Sequence, residues 1–482
     1  MRNLHRIQPL FLALAGLFLL ECSSPEQPSS RYKGIGYVET GTPSAVMLTC
    51  YSTTLIANGT DCTAVRIALA DSLGRQLAHA GDSVRLYLDG EGKITTPDGA
   101  PMPVSIDTAG KRYVSCRLTD GLCRLRYISG VTPGTVKIEA RSGRRWPGSH
   151  EIHLLPAGFV VKHPTEEQLR PAGKPVDRMI GADISFLPQL EDRGMRFFEN
   201  GQAIDALRLL KEHGFNYIRL RIFVNPENEK GYAPGKGYCD LAHTLIMARR
   251  IREAGMKLLL DFHYSDYWAD PQQQYKPKAW EGAPYPALKD SVRSYTTRVI
   301  RALAGQGTPP SIVQVGNEIN HGMLWPEGHI SRPDQLAGLL QAGTEGVAAV
   351  DPAIPVMMHI ALGGQHDEAV FWLDNMIARG VKFDVIGLSY YPRWHGTLED
   401  LDRNVAAVAG RYGKPVNIVE YSDFKGEVTS IGFDAPGGLG RGSCIWEPLG
   451  FRSGLFDRNG NVTSLFVVYD SLAVRYQLSR HP

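Results

Sequence analysis

Two glutamates stand where this chain could do chemistry. Glu318 closes the run Ile312-Val313-Gln314-Val315-Gly316-Asn317-Glu318, in which a β-branched stretch reads as a buried strand that gives way to an amide and a carboxylate. Glu420 closes a second such run, Val416-Asn417-Ile418-Val419-Glu420. Two carboxyl groups delivered by two strand ends are what hydrolysis of a glycosidic bond requires. Polar groups also follow other apolar runs: Asp183 and Ser185, then Arg219 and Arg221, which are two apart and share a face. Further on come Asp261, His263, Asp266 and Asp270, then Ser389-Tyr390-Tyr391 and Trp446-Glu447. The Asp/His group fits no zinc spacing, so no metal is expected. Trp268, Trp325, Trp394 and Trp446 lie near the same ends, where a flat indole can stack on the C–H face of a sugar. Trp446 is the best placed of them for the cleavage site. Each residue also has a structural reading: Arg219 as a bridge among carboxylates, His263 as a satisfied core histidine, the tryptophans as packing.

The elements that must position these groups alternate. Strand candidates are 179–184, 217–223, 257–263, 311–317, 355–360, 384–390, 415–420 and 442–446, and helical periodicity covers 203–213, 241–254, 287–303, 335–350, 368–378, 398–412 and 465–478. Gly214, Gly255, Gly380 and Gly413 each stop a helix directly before a strand, as a left-handed C-terminal cap would. Eight strands with intervening helices predict a (β/α)8 TIM barrel over 179–482, whose strand ends gather at one face. The segment 421–441, rich in Gly and Asp, reads mostly as loop.

The earlier part differs. Residues 44–155 alternate with a period of two between turn signals such as Asn58-Gly59, Asp89-Gly90 and Asp120-Gly121, which predicts an all-β sandwich. No catalytic constellation is evident in it, so it is expected to be a spacer rather than a sugar-binding module. Residues 156–178 read as a linker. At the amino end, Arg2 and Arg6 precede an apolar run from Pro9 to Leu20, too short to span a membrane, and then Cys22. Residues 1–21 are expected to be a signal peptide and 22–43 a tether. The remaining early cysteines, Cys50, Cys62, Cys116 and Cys123, allow three disulfide pairings, and Cys239 and Cys444 read equally as free thiols. Lys+Arg 52 against Asp+Glu 50 gives a net charge of +2, which argues against a nucleic-acid partner.

Several separated motifs then carry a resemblance. Gly181-Ala-Asp-Ile-Ser185, Ile218-Arg-Leu-Arg-Ile-Phe-Val-Asn-Pro226, the stretch from Asp261 to Trp280, Gln314-Val-Gly-Asn-Glu318 and Trp446-Glu-Pro448 resemble, in order, glycoside hydrolase family 53, the endo-β-1,4-galactanases of the retaining clan A. The resemblance implies cleavage of the β-1,4-galactan (arabinogalactan) side chains of pectin, with Glu318 as acid/base and Glu420 as nucleophile. It implies that Asn317 bonds the sugar 2-hydroxyl and that Asp183, His263, Trp268 and Trp446 contact substrate. Arg219 and Tyr390 would hold Glu420 ionised. No cofactor is implied. Some bacterial members hold calcium after the seventh strand, but no matching ligand set is evident here. The leader resembles a bacterial lipoprotein signal with Cys22 as lipid anchor, so an exported monomer on the membrane, at the cell surface or in the periplasm, is expected; plain secretion with Cys22 removed is the alternative. The early β region resembles bacterial immunoglobulin-like domains. A clan-A glycosidase of other linkage specificity and a non-catalytic glycan-binding protein are the rival readings.

Overall fold

The computed structural model describes residues 30–169, 173–450 and 453–478. The expected leader and Cys22 lie outside the described residues. Between Tyr37 and Leu155 the chain forms two six-stranded sheets that face each other across one apolar core. Val46, Leu48, Val65, Ile67 and Leu69 face it from one sheet, and Val84, Leu86, Val136, Ile138 and Ile152 from the other. The strand Gly148–Leu155 pairs with Gly134–Arg141 on one side and with Thr54–Ile56 on the other. Cys50, Cys116, Cys123, Cys239 and Cys444 carry free thiols.

The second unit is a closed ring of eight parallel strands: β1 (Met179–Asp183), β2 (Tyr217–Ile222), β3 (Lys257–Phe262), β4 (Ile312–Val315), β5 (Val356–Ile360), β6 (Val385–Tyr390), β7 (Val416–Tyr421) and β8 (Gly440–Trp446). The seam is the pairing of β1 with β8, from Met179 opposite Gly442 to Asp183 opposite Trp446. Helices wrap the outside: α1 (Ala206–Glu212), α2 (Leu241–Glu253), α3 (Tyr285–Gly305), α4 (Pro333–Ala348), α5 (His366–Ala378), α6 (Leu398–Tyr412), α7 (Lys425–Phe433) and α8 (Phe466–Arg475). Their starts follow from local chemistry. The Asp205 carboxylate accepts the amides of Leu207 and Arg208, Asp240 caps α2, and Thr397 with Asp400 forms a capping box on α6. Gly214, Gly255, Gly380 and Gly413 have φ of 86°, 68°, 81° and 58°, the left-handed conformation that the helix-to-strand reversals need.

One expectation is corrected. Residues 425–433 are helical rather than loop. The amphipathic signal fails there because Val428 to Phe433 are all buried, so no polar stripe marks the helix.

The barrel interior is layered. Met179, Tyr217, Leu259, Ile312, Met357, Val385, Val419 and Cys444, one from each strand, form a dry floor. A large apolar side chain buried in such a layer contributes about 1.5–3 kcal/mol. Above the floor, toward the C-terminal strand ends, the inward positions turn polar: Arg219, Asp261, Gln314, His359, Ser389 and Glu420 are all buried.

Candidate active site

Arg219 organises this polar layer. Its guanidinium donates to Asp183 at 3.0 Å, Asp261 at 2.9 Å, Glu420 at 3.2 Å and the Asn317 amide oxygen at 2.8 Å. One buried cation thus serves three buried carboxylates, and their field holds Arg219 charged against the cost of burial. Arg221, two residues on, donates to Glu447 at 2.6 Å and lies 4.4 Å from the ring centres of Phe186 and Trp268.

Glu318 is reached by a sharp exit from β4. The strand stops at Val315, Gly316 turns at φ 87°, and Glu318 itself sits at φ 48°, which lifts its side chain over the barrel mouth. Its Oε1 accepts the Ser389 hydroxyl at 2.6 Å. His359 Nε2 lies 2.8 Å from the Ser389 hydroxyl, and its Nδ1 lies 2.9 Å from the Asn317 amide oxygen and 3.1 Å from the Gln314 amide, so the histidine ties the partner of Glu318 to the Asn317 network. Burial keeps His359 neutral, well below the usual histidine range. Single carboxylate oxygens of Glu318 and Glu420 lie within 4.8 Å of each other, together with a nitrogen of His359. Among the described residues this trio is the only cluster with metal-binding geometry.

The two glutamates are not equivalent. Burial and the charge of Glu420 push Glu318 well above the ordinary carboxyl range, opposed by the Ser389 bond and, less, by Arg219. Burial also raises Glu420, but Arg219 and the hydroxyl of Tyr391, which donates to Glu420 at 2.8 Å, pull it back. The pair therefore loses its first proton from Glu420 and keeps the second on Glu318.

Tyr390 is a correction. Its hydroxyl donates to the Gly396 carbonyl, and its ring lies in the outer core. On β6 and β7, Ser389 stands opposite Glu420 and Tyr390 opposite Tyr421, so Ser389 and Tyr391 share the inward face while Tyr390 points away. The residue on Glu420 is Tyr391.

A cavity of about 170 Å³ at the barrel mouth touches both Glu318 and Glu420, and Asp183, Arg219, Arg221, His263, Trp268, Asn317 and Trp446 also line it. His263 is held at both nitrogens: Nε2 lies 3.1 Å from Asp261, and Nδ1 accepts the Ala269 amide at 3.1 Å. Asn317 is likewise fixed, its Nδ2 donating to the Ala269 carbonyl at 2.9 Å. Trp268 and Trp446 are half-buried and meet edge to face, with ring centres 6.4 Å apart. Of the expected residues, all but Tyr390 and the undescribed Cys22 converge here. Sequence reasoning noted Ser389 and Tyr391 at a strand end and Gln314 within a motif but gave them no role, and it missed His359. Strand parity is the one signal that could have found them.

A second cavity, of about 240 Å³, also touches Glu318 but not Glu420. Its walls include Asp270, Asn320, Tyr391 and Trp394 from barrel loops, and Thr53, Ser149, His150 and Glu151 from the β-sandwich.

Comparison with known proteins agrees with this architecture. The family model described as glycosyl hydrolase family 53 matches residues 179–431. A Niallia circulans protein named "Uncharacterized protein in bgaB 5'region" is 40% identical over 312 residues, covering 56% of this chain and 83% of its own. An "Endo-beta-1,4-galactanase" of Bacillus subtilis is 34% identical over 268 residues, covering 55% of this chain and 60% of its own. Among solved structures, the Ignisphaera aggregans GH53 catalytic domain superposes with a TM-score of 0.57 at 32% identity, covering 64% of this chain and 99% of that one.

Proposed function

The chain belongs to glycosyl hydrolase family 53, and from that membership we propose that it is a retaining endo-β-1,4-galactanase acting on the galactan side chains of pectin. The observation that carries the reading is the carboxyl pair, with oxygens within 4.8 Å and environments that hold one proton between them. Retaining glycosidases place their carboxyl groups about 5–5.5 Å apart, whereas inverting ones leave room for water at about 6.5–9.5 Å.

In the first step the ionised Glu420 attacks the anomeric carbon, and Glu318 gives its proton to the departing glycosidic oxygen as the C–O bond breaks. An ester now replaces the Glu420 charge. That charge was one of the two main causes of the raised Glu318 pKa, so Glu318 becomes more acidic and is ready to act as base. It takes a proton from water, the oxygen adds to the anomeric carbon, and Glu420 leaves as a carboxylate. Tyr391 and Arg219 aim the attacking carboxylate. Ser389, backed by neutral His359, holds the acid. Asn317, fixed by Arg219 and the Ala269 carbonyl, serves the sugar 2-hydroxyl, while Trp268 and Trp446 offer ring faces.

The name of the Bacillus subtilis relative supports the substrate. For placement, the short apolar run and Cys22 support export and lipid anchoring of the mature enzyme. The test is incubation with linear β-1,4-galactan, with mannan and cellulose as controls, followed by chromatography and by NMR of the first product. A ladder of galacto-oligosaccharides from galactan alone, released first as the β-anomer, is expected. Galactose alone would overturn the endo-acting part, the α-anomer the retaining part, and products from a control glycan alone the substrate.

A further inference from the structure

The β-sandwich does more than stand beside the barrel. Glu368, on α5 of the barrel and 1% exposed, accepts the Thr53 amide at 2.6 Å and the hydroxyls of Thr53 and Thr54 at 2.8 Å. Gln365 donates to the Cys50 carbonyl at 2.9 Å, and the Leu48 amide donates to the Arg393 carbonyl at 3.1 Å. The His153 ring packs on His321 with centres 4.0 Å apart. Separating the units would strip Glu368 of its three threonine donors and leave only His321, 3.6 Å away, beside it, so the contact is strongly favoured.

This contact fixes the strand Gly148–Leu155 at the edge of the catalytic mouth. The two cavities there share only Glu318 and Asp270. The sugar under attack must lie where both glutamates reach it, which is the smaller cavity. The sugar that departs takes its proton from Glu318 and lies on the other side of that residue. That side is the larger cavity, and the sandwich forms one of its walls. The wall chemistry suits a pyranose. Trp394 presents an indole to the C–H face, while Ser149, Glu151 and Asn320 offer hydroxyl, carboxylate and amide groups to the hydroxyl rim.

Resting on the galactanase reading above, we propose that the sandwich is part of the active site, with Ser149 and Glu151 supplying hydrogen bonds to the galactosyl residue that leaves on Glu318. The sandwich then contributes to choosing which bond of the polymer is cut.

The experiment uses the full chain and its Glu151→Ala, Glu151→Gln and Ser149→Trp variants. Two substrates are compared: β-1,4-galactotetraose, whose leaving group is a sugar, and nitrophenyl β-1,4-galactobioside, whose leaving group is not. The ratio of kcat/KM for the tetraose to that for the aryl glycoside is expected to fall about tenfold in Glu151→Ala, the worth of one hydrogen bond to a charged group. A smaller drop is expected in Glu151→Gln. Ser149→Trp, which fills the cavity, should also shift the early products from galactan. Ratios and products equal to wild type in all three variants would overturn the proposal while leaving the galactanase reading intact. A wild-type enzyme inactive on both substrates would instead sink that reading, and the proposal with it.

Discussion

Replacing Tyr391 by phenylalanine tests the electrostatic design of the site most directly. The phenol donates to Glu420 Oε1 at 2.8 Å, and burial beside two carboxyl groups keeps it protonated well beyond the usual tyrosine range. Its bond favours the ionised form of Glu420. A hydrogen bond to a charged acceptor is worth about 1.5–3 kcal/mol, and one pH unit corresponds to about 1.4 kcal/mol. Arg219 remains at 3.2 Å and keeps part of the stabilisation. The pKa of Glu420 should therefore rise by about one unit in Tyr391→Phe. The proposed mechanism needs Glu420 ionised, so the acidic limb of kcat/KM against pH should move up by that amount. In that mechanism the basic limb follows Glu318, to which Tyr391 makes no hydrogen bond, and it should stay in place. The assay is a pH series with an aryl galactobioside, read as kcat/KM so that it reports the free enzyme. An acidic limb within a few tenths of a unit of wild type would refute the reasoning, because either the bond or the assignment of Glu420 would be wrong.

Ser389→Ala should act on the opposite limb. Its 2.6 Å bond is the main influence lowering Glu318, so its loss raises Glu318 further and moves the basic limb upward by about one unit; a downward shift in the same pH series would refute this. Glu318→Gln should be more stable than wild type at neutral and alkaline pH. With a folded-state pKa above the unfolded one, the carboxyl loses stability as pH rises from its ordinary value through the folded value, by about 1.4 kcal/mol for each pH unit over which the folded protein alone keeps the proton. Thermal melts in acid and at neutral pH should show the gap closing in acid, and equal melts at both would contradict it. Arg219→Met should leave three buried carboxylates without their cation, costing about 3–5 kcal/mol in denaturant unfolding, and a loss below about 1 kcal/mol would mean the network is solvated.

Much of this arrangement is legible in the chain, and the limits have physical causes. Strand ends with Glu318, Glu420 and Arg219 stand out because short β-branched runs stop at polar residues, and the four capping glycines mark where helices return. Tyr390 and Tyr391 cannot be told apart by type. Parity along β6 separates them once its inward face is known, and the pairing of Ser389 with Glu420 on β7 identifies that face. His359 and Gln314 sit mid-strand, where a polar residue looks like an exception until the neighbouring strands bring Ser389 to the one and Asp261 to the other. The helix α7 is hidden because it is buried along most of its length. The wall that Ser149, His150 and Glu151 lend to the cavity beside Glu318 depends on contacts between segments far apart in sequence, which no local pattern encodes.

The seam between β1 and β8 also bears on how the enzyme comes into being. Those two strands are the first and last of the ring, so the ring cannot close unless both are present. Asp183, Arg219 and Asp261 come from the first three strands, but Glu420 comes only with β7 and Trp446 only with β8. In an open sheet these charges remain wet, and the field that separates the two glutamates is weak. A chain truncated before β8 would therefore carry Glu318 and Glu420 without the environment that sets them apart. Pairing of β1 with β8 joins segments distant in sequence, a kind of contact that forms slowly, and it encloses the centre in which the two glutamates differ.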